Sequence, residues 1–99
     1  MREYRARNRA FIEEKRRARV ATSRNFVRAF LANHPCVDCS ESDIVVLEFD
    51  HVRGTKAFNI AYLVGQGRDL QTIKTEMDKC EVRCANCHRR KTAKQFGWA

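Results

Sequence analysis

Apolar residues are spaced at helical intervals in the first third of the 99-residue chain. The segment from Glu3 to about Asn33 contains no Gly or Pro and is rich in Ala, Arg, Glu and Lys, which favours helix. Four apolar residues near its end recur at helical spacing: Phe26, Val27, Phe30 and Leu31. This stripe predicts one buried helix face. Thr22 or Ser23 could cap a second helix, so a break near residue 22 is an alternative to one long helix.

The next apolar run predicts a β-strand. Pro35 ends the first helix, because the residue before a proline disfavours the helical conformation. Residues 44–49, Ile-Val-Val-Leu-Glu-Phe, are dense in β-branched and apolar side chains. We interpret them as a strand that carries Asp50 and His51 at its end. Gly54 then marks a turn.

The remaining pattern predicts three short elements and one connecting segment. Residues 59–65 predict a capped helical turn, and residues 69–79 predict a helix with one apolar face. Residues 80–83 are too short for anything but a strand or a link. Residues 89–96 predict a final helix that ends at Gly97. The fold class that follows is α+β.

The charge distribution predicts a polyanionic partner. The net charge is +8, and ten Lys and Arg residues fall between residues 2 and 28 against three Glu residues. Cations placed against phosphates release counterions and give affinity that does not depend on sequence. A charge that serves only solubility is the alternative. No stretch is long and apolar enough to cross a membrane.

The cysteines predict a structural zinc site. The chain has an odd number of cysteines and begins with arginines instead of an apolar signal segment, which argues against a secreted disulfide framework and predicts a cytoplasmic setting. Two CxxC pairs are present, Cys36 with Cys39 and Cys84 with Cys87. Two such turns close a tetrahedron around one zinc ion and leave no open position. Cys80 is left over, as a buried apolar side chain or as a replacement ligand.

A second candidate site follows if both pairs share one ion. The 44 residues between Cys39 and Cys84 would then form an insertion, and His88 would return to the strand that precedes Asp50 and His51. A carboxylate and an imidazole could hold a divalent cation with open positions, while another imidazole stays free as a base. His34, beside the proline, is interpreted as an exposed or capping histidine.

The order of these motifs resembles the zinc-ribbon-stapled HNH endonucleases of bacteria and their phages. The resemblance covers roughly residues 35–96, and its most specific part is residues 79–92, Lys-Cys-Glu-Val-Arg-Cys-Ala-Asn-Cys-His-Arg-Arg-Lys-Thr. It implies a small ββα-metal (HNH) core with a zinc knuckle in a nuclease domain at 35–99, preceded by a basic helical arm at 1–34. By this likeness Asp50 and His88 are ligands of a catalytic metal.

The implied activity is metal-dependent hydrolysis of DNA phosphodiester bonds, by nicking or by double-strand cleavage. The catalytic cation would be Mg²⁺ or Mn²⁺, with Ni²⁺ or Zn²⁺ as alternatives, and would stabilise the charge that develops in the transition state. His51 would be the general base. Candidate contacts to DNA phosphates are Arg53, Lys56, Arg89, Arg90 and Lys91. A phage or host DNA-processing protein is a candidate partner.

Two positions depart from the family pattern. The family's middle Asn, which braces the loop between the strands, lies nine residues before the last His, and Lys79 occupies that position here. Asn59 is the only Asn in the insertion and could brace the loop instead. Some relatives place a further ligand one turn beyond the last His, where this chain has Thr92. The other function classes are a non-catalytic zinc-ribbon DNA-binding protein and a protein-interaction module.

Overall fold

A computed structural model describes residues 2–98 and confirms the α+β class. Within these residues the chain forms four helices, a short 3₁₀ turn and a two-stranded antiparallel sheet. Their bounds in chain order are α1 Arg2–Ala32, the 3₁₀ turn Ile44–Val46, β1 Leu47–His51, α2 Ile60–Gly65, α3 Leu70–Met77, β2 Cys80–Cys84 and α4 Ala85–Phe96.

The first helix, α1, is continuous over 31 residues, so the alternative of a break near residue 22 is wrong. Ser23 is buried at 3% exposure on the helix face that meets the core, instead of capping a new helix. The helix ends in a tight turn, in which the backbone amides of Asn33 and His34 donate to carbonyls three residues earlier. His34 is exposed and stacks on Phe30 with ring centroids 3.8 Å apart.

The two ends of α1 have different surroundings. Residues 20–31 contribute side chains to both hydrophobic clusters of the molecule, whereas residues 3–15 are exposed apart from the half-buried Glu13. Between these parts, Arg16 and Arg19 donate hydrogen bonds of 2.9 and 3.0 Å to the carbonyls of Gly65 and Gly67. The molecule is therefore elongated, with principal extents of 62 × 26 × 20 Å.

The predicted strand begins three residues later than expected. Asp43 accepts a hydrogen bond of 3.0 Å from the amide of Val45, and this cap turns residues 44–46 into a 3₁₀ turn. Strand β1 then contains Asp50 and His51 instead of preceding them, and Asp50 pairs with Glu81 of β2. Because side chains alternate along a strand, Asp50 and His51 project to opposite faces of the sheet.

Two clusters of buried residues form the core. The first joins α1, the sheet and α4 through Leu31, Cys36, Leu47, Val82, Cys84 and Cys87. The second joins α2 and α3 through Ile60, Leu63, Val64, Ile73 and Met77. Phe30 and Phe49 pack against both clusters, so one apolar layer continues from the cysteines to the short helices. Helix α4 packs against both strands of the sheet.

The caps explain where the short helices begin. Asp69 caps α3, accepting a hydrogen bond of 3.1 Å from the amide of Thr72. Helix α4 begins at Ala85, four residues earlier than predicted, because the sulfur of Cys84 accepts from the amide of Cys87 at 3.4 Å. Gly97 ends α4 at a φ of 69°, as the sequence predicts, because glycine adopts the left-handed conformation without steric cost.

Candidate functional site

Four cysteine sulfurs meet beside the sheet. The Sγ atoms of Cys36, Cys39, Cys84 and Cys87 all lie within 4.8 Å of one another, and those of Cys39 and Cys84 are 3.7 Å apart. Around a tetrahedral zinc ion with Zn–S bonds of about 2.3 Å, neighbouring sulfurs are about 3.8 Å apart. This cysteine cluster could therefore hold a zinc ion, and Cys80 is not part of it.

Backbone hydrogen bonds shape the first pair. The amide of Ser40 donates to the carbonyl of Cys36 at 2.9 Å, with Ser40 itself at a φ of 67°, and this closes the turn that brings Cys39 beside Cys36. The amide of Val37 donates to the carbonyl of Val82 at 3.0 Å. The first CxxC turn is thus attached to β2, the strand that leads into the second pair.

The local environment favours few thiolates without a metal. Burial raises the pKa of Cys36, but hydrogen bonds from the backbone of Cys84 and Cys39 outweigh burial and lower the pKa to about 6. Hydrogen bonding to Cys84, together with burial, raises the pKa of Cys87 to about 12. A zinc ion would therefore displace protons when it binds. Burial raises the pKa of Cys80 to about 11, so this thiol stays neutral.

Asp50 and His88 meet on the face of the sheet that α4 covers. Oδ1 of Asp50 lies 3.5 Å from Nε2 of His88, and Asp50 is only 7% exposed. Two atoms that share one Mg²⁺ at about 2.1 Å can be at most about 4.2 Å apart, so this pair fits a common cation. Oδ2 accepts hydrogen bonds from Arg83 at 2.8 Å and from Lys91 at 2.6 Å. Only Oδ1 therefore faces the imidazole.

The same contacts keep Asp50 ionised. Burial raises the pKa of Asp50, but the hydrogen bond and charge of Lys91, followed by His88 and Arg83, outweigh burial and hold the pKa below its ordinary value. Arg83 in turn donates at 2.8 Å to Asp38, which lies inside the first CxxC turn. One ion-pair network therefore connects the cysteine cluster with the Asp50 carboxylate.

Glu48 orients His88, and sequence reasoning did not identify it. Its Oε1 lies 2.8 Å from Nδ1 of His88. A carboxylate only accepts hydrogen bonds, so Nδ1 carries a proton, and a cation shared with Asp50 Oδ1 would require Nε2 to be deprotonated. Metal-binding histidines commonly have such a carboxylate on the second nitrogen. The available signal was the spacing of two residues from Asp50, which places both on one face of a strand.

His51 contacts a buried carboxylate on the opposite face of the sheet. Its Nε2 lies 2.9 Å from Oε2 of Glu76, a residue that is only 4% exposed. Sequence reasoning missed Glu76, although its distance of three residues from Ile73 places it on the apolar face of α3. Burial raises the pKa of Glu76, but contacts with Lys79, the Ala57 amide and His51 outweigh burial and lower it.

Lys79 braces the loop that follows β1. Its Nζ donates to the carbonyl of Thr55 at 2.7 Å, and its own carbonyl accepts from the amides of Val52 at 2.8 Å and Arg53 at 3.1 Å. These contacts hold the loop from the position where the HNH pattern places its middle Asn. Asn59 occupies the N-cap position of α2 without a side-chain capping bond.

A groove of about 920 Å³ lies between α1, β1 and α2. Both His51 and His88 line it, although His51 and Asp50 project to opposite faces of the sheet. Asn59 and two arginines of α1, Arg24 and Arg28, also border the groove. Its floor is mainly apolar and includes Val27, Leu31, Leu47, Phe49, Ile60 and Val64. The groove thus gives an external molecule access to both imidazoles.

The five candidate phosphate contacts fall into two groups. Arg53 donates to two backbone carbonyls of the α3–β2 connection, at 2.7 and 3.0 Å, and Lys91 donates to Asp50. These two cations have structural partners. The other three are exposed: Lys56, Arg89 and Arg90. Thr92 donates its hydroxyl proton to the carbonyl of His88 at 3.0 Å, so it stabilises the first turns of α4.

Comparison with protein-family models, curated proteins and solved structures gives no significant match. None of the helices within residues 2–98 is long and apolar enough to cross a membrane. Three features of the described residues bear on function: the cysteine cluster, the Asp50–His88 pair and His51.

Proposed function

We propose that this chain is a metal-dependent endonuclease of the HNH type that hydrolyses DNA phosphodiester bonds. The observation that carries the proposal is the pair formed by Asp50 Oδ1 and His88 Nε2, 3.5 Å apart, with Glu48 orienting the imidazole. His51 lines the same groove as His88. A purely structural Asp50–His88 ion pair does not require this second imidazole, whereas phosphodiester hydrolysis requires a base near the metal.

Each residue has a distinct part in the proposed reaction. Asp50 and His88 would hold one divalent cation, which supplies positive charge next to the phosphate where negative charge develops. His51 accepts a proton from the attacking water. Lys91 and Arg83 hold the second oxygen of Asp50, so the carboxylate offers a single oxygen to the cation.

The cysteine cluster has a structural part in this proposal. Cys84 ends β2 and its sulfur caps α4, so a zinc ion at the cluster sets where α4 begins. His88 follows Cys87 directly in the sequence. A zinc ion with four sulfur ligands has no open position and takes no part in the chemistry, but it would place His88 opposite Asp50.

The basic side of α1 supports a DNA partner. Arg17, Arg24 and Arg28 are separated by seven and four residues, so they lie on one face of the helix. Arg24 and Arg28 border the groove into which both histidines open. Phosphates bound by these arginines would lead the backbone of a DNA strand towards His51.

A non-catalytic DNA-binding protein is the second candidate. The observation in its favour is that Asp50 already has two cationic partners, at 2.6 and 2.8 Å, and so has a structural role without any metal. On this alternative, the three residues Asp50, His51 and His88 only stabilise the fold, and their substitution reduces DNA binding and stability together.

Plasmid cleavage by zinc-containing protein, with and without Mg²⁺ or Mn²⁺, tests the proposal. His51→Ala should keep DNA binding and reduce the cleavage rate by about 10²–10⁴-fold, the usual contribution of a positioned base. His88→Ala and Asp50→Ala should lose activity that partly returns at higher metal concentration. His34→Ala is the matched control, because His34 is an exposed histidine that stacks on Phe30 outside the groove.

Two results would contradict the assignment. Wild-type cleavage by folded His51→Ala would remove the proposed base, and a His88→Ala defect that does not respond to metal would remove the proposed ligand. Absence of metal-dependent cleavage by the wild-type protein, with DNA binding intact, would favour the non-catalytic alternative.

A further inference from the structure

Glu76 is a nearly buried acidic residue whose hydrogen bonds converge on the candidate base. Its Oε2 accepts from Nε2 of His51 at 2.9 Å and from the amide of Ala57 at 3.1 Å. Its Oε1 accepts from Nζ of Lys79 at 3.0 Å. Burying a charged carboxylate is costly unless such donors surround it. The chain therefore retains an ionised group at a position where an apolar residue would otherwise fit.

We propose that Glu76 is a positioning residue for His51, which holds the Nε2–H group and leaves Nδ1 as the atom that takes a proton from water. This inference rests on the proposed nuclease function, because it assigns a role to Glu76 in the same reaction. It goes beyond that function by naming the reactive atom of His51 and the residue that selects it.

The chemistry of the contact selects the nitrogen. A carboxylate has no proton to donate, so the nitrogen that faces Glu76 must carry the hydrogen. Nδ1 is then the nitrogen with a free lone pair in the neutral ring. His51 is partly buried, with a side-chain exposure of 12%, and lines the groove. The groove is therefore the side from which a DNA substrate and the attacking water would reach His51.

The residues around Glu76 hold its carboxylate in one position. Its neighbours on α3, Ile73 and Met77, are buried at 0% and 6% exposure, so the helix cannot shift easily. The bonds from Ala57 and Lys79 hold the carboxylate from two further directions. A ring tethered at one nitrogen to such a group keeps its orientation, as the imidazole of a serine protease does through its buried Asp.

The contact between His51 and Glu76 also stabilises His51 after it has taken up the proton. The water loses a proton to Nδ1, its oxygen bonds to phosphorus, and the bond from phosphorus to the leaving sugar oxygen breaks. That oxygen keeps the electron pair and takes a proton from solvent, giving a phosphomonoester and a sugar hydroxyl. His51 becomes a cation in this step, and the adjacent Glu76 carboxylate balances its charge.

A double-mutant cycle on the zinc-containing protein with Mg²⁺ separates positioning from simple bracing. In the wild-type background, Glu76→Gln should reduce kcat by about 10–100-fold, by analogy with the loss when a carboxylate that orients a metal-binding histidine is removed. KM for plasmid DNA should change little. In the His51→Ala background the same substitution should cause no further loss, because the residue through which Glu76 acts is absent.

Lys79→Met is a control for the possibility that Glu76 only stabilises the fold. It removes a different contact to Glu76 and the bond to Thr55 but leaves the His51 contact in place. Its effect on the melting temperature should be the same with and without His51. If Glu76→Gln reduces kcat equally in both backgrounds, Glu76 does not act through His51 and the proposal is overturned.

A second measurement covers the case in which Glu76→Gln does not fold. Nitrogen-15 NMR of the wild-type protein should show a slowly exchanging proton on Nε2 of His51, and an Nε2 without one would overturn the positioning role. If the wild-type protein does not cleave DNA with any divalent metal, the proposed function fails and the positioning role fails with it. Intact cleavage without coupling overturns only the positioning role.

Discussion

Substitution of Cys84 tests how much of the fold depends on the cysteine cluster. Cys84 is 5% exposed, lies opposite Leu47 in the sheet and caps α4 through its sulfur. Cys84→Ser keeps the size and the capping ability of the side chain but removes one of the four sulfur ligands. The variant should lose zinc and its cooperative thermal unfolding.

The magnitude follows from comparing two free energies. A structural zinc ion contributes about 10–16 kcal/mol of apparent binding free energy in small zinc domains at neutral pH. A small domain is stable by only about 5–15 kcal/mol in total. Three of the four cysteines are members of the first core cluster, so losing the ion also leaves adjacent thiols buried without a partner. The deficit therefore exceeds what the remaining core can offset.

Cys80 supplies a matched control within the same strand. It is also buried, four residues from Cys84, but its sulfur donates to the carbonyl of Glu76 at 3.4 Å and is not part of the cluster. Cys80→Ser should keep one equivalent of zinc by mass spectrometry and unfold cooperatively by circular dichroism. If Cys84→Ser melts like Cys80→Ser while holding less than half an equivalent of zinc, the cluster is not a structural zinc site.

Two further predictions concern the proposed DNA-binding face of α1 and His88, the proposed metal ligand. Replacing Arg24 and Arg28 together by Ala should lower the slope of log affinity against log salt by about 2. Deleting residues 1–20 should weaken binding to all DNA sequences alike. Unchanged slopes in both variants would exclude α1 from the interface. Glu48→Ala should move the proton of neutral His88 from Nδ1 to Nε2, and a nitrogen-15 spectrum that stays unchanged would mean that Glu48 does not orient this ring.

Elements governed by local signals were predicted well. The end of α4 at Gly97 depends on one residue's conformation, which the sequence displays directly, and α3, predicted over residues 69–79, spans Leu70–Met77 after its cap Asp69. The boundaries of β1 and α4 were wrong because the deciding caps were less obvious. Asp43 capped a 3₁₀ turn within an apolar run, and a cysteine sulfur capped α4 where oxygen-bearing residues are usual.

The candidate site, too, was predictable from the sequence only in part. The meeting of the two CxxC pairs was predictable, because a single zinc ion needs four ligands. The two glutamates were not predicted: Glu48 and Glu76 meet their histidines across separations of 40 and 25 residues. Periodicity places Glu48 on the Asp50 face and Glu76 on an apolar helix face, but only the tertiary fold determines which imidazole each one reaches.

The separation between β1 and β2 has a consequence for the order of events during synthesis. The strands pair across a connection of 28 residues, and the cysteine cluster is incomplete until Cys87 has been made. At about 5–20 residues per second, roughly 2–7 s pass between the appearance of His51 and that of Cys87. Until Cys84 has been made β1 has no partner strand, and the apolar residues Ile44 and Val45 that precede it are exposed even in the folded chain. Chaperone contact is expected to matter most for a nascent chain in this time window.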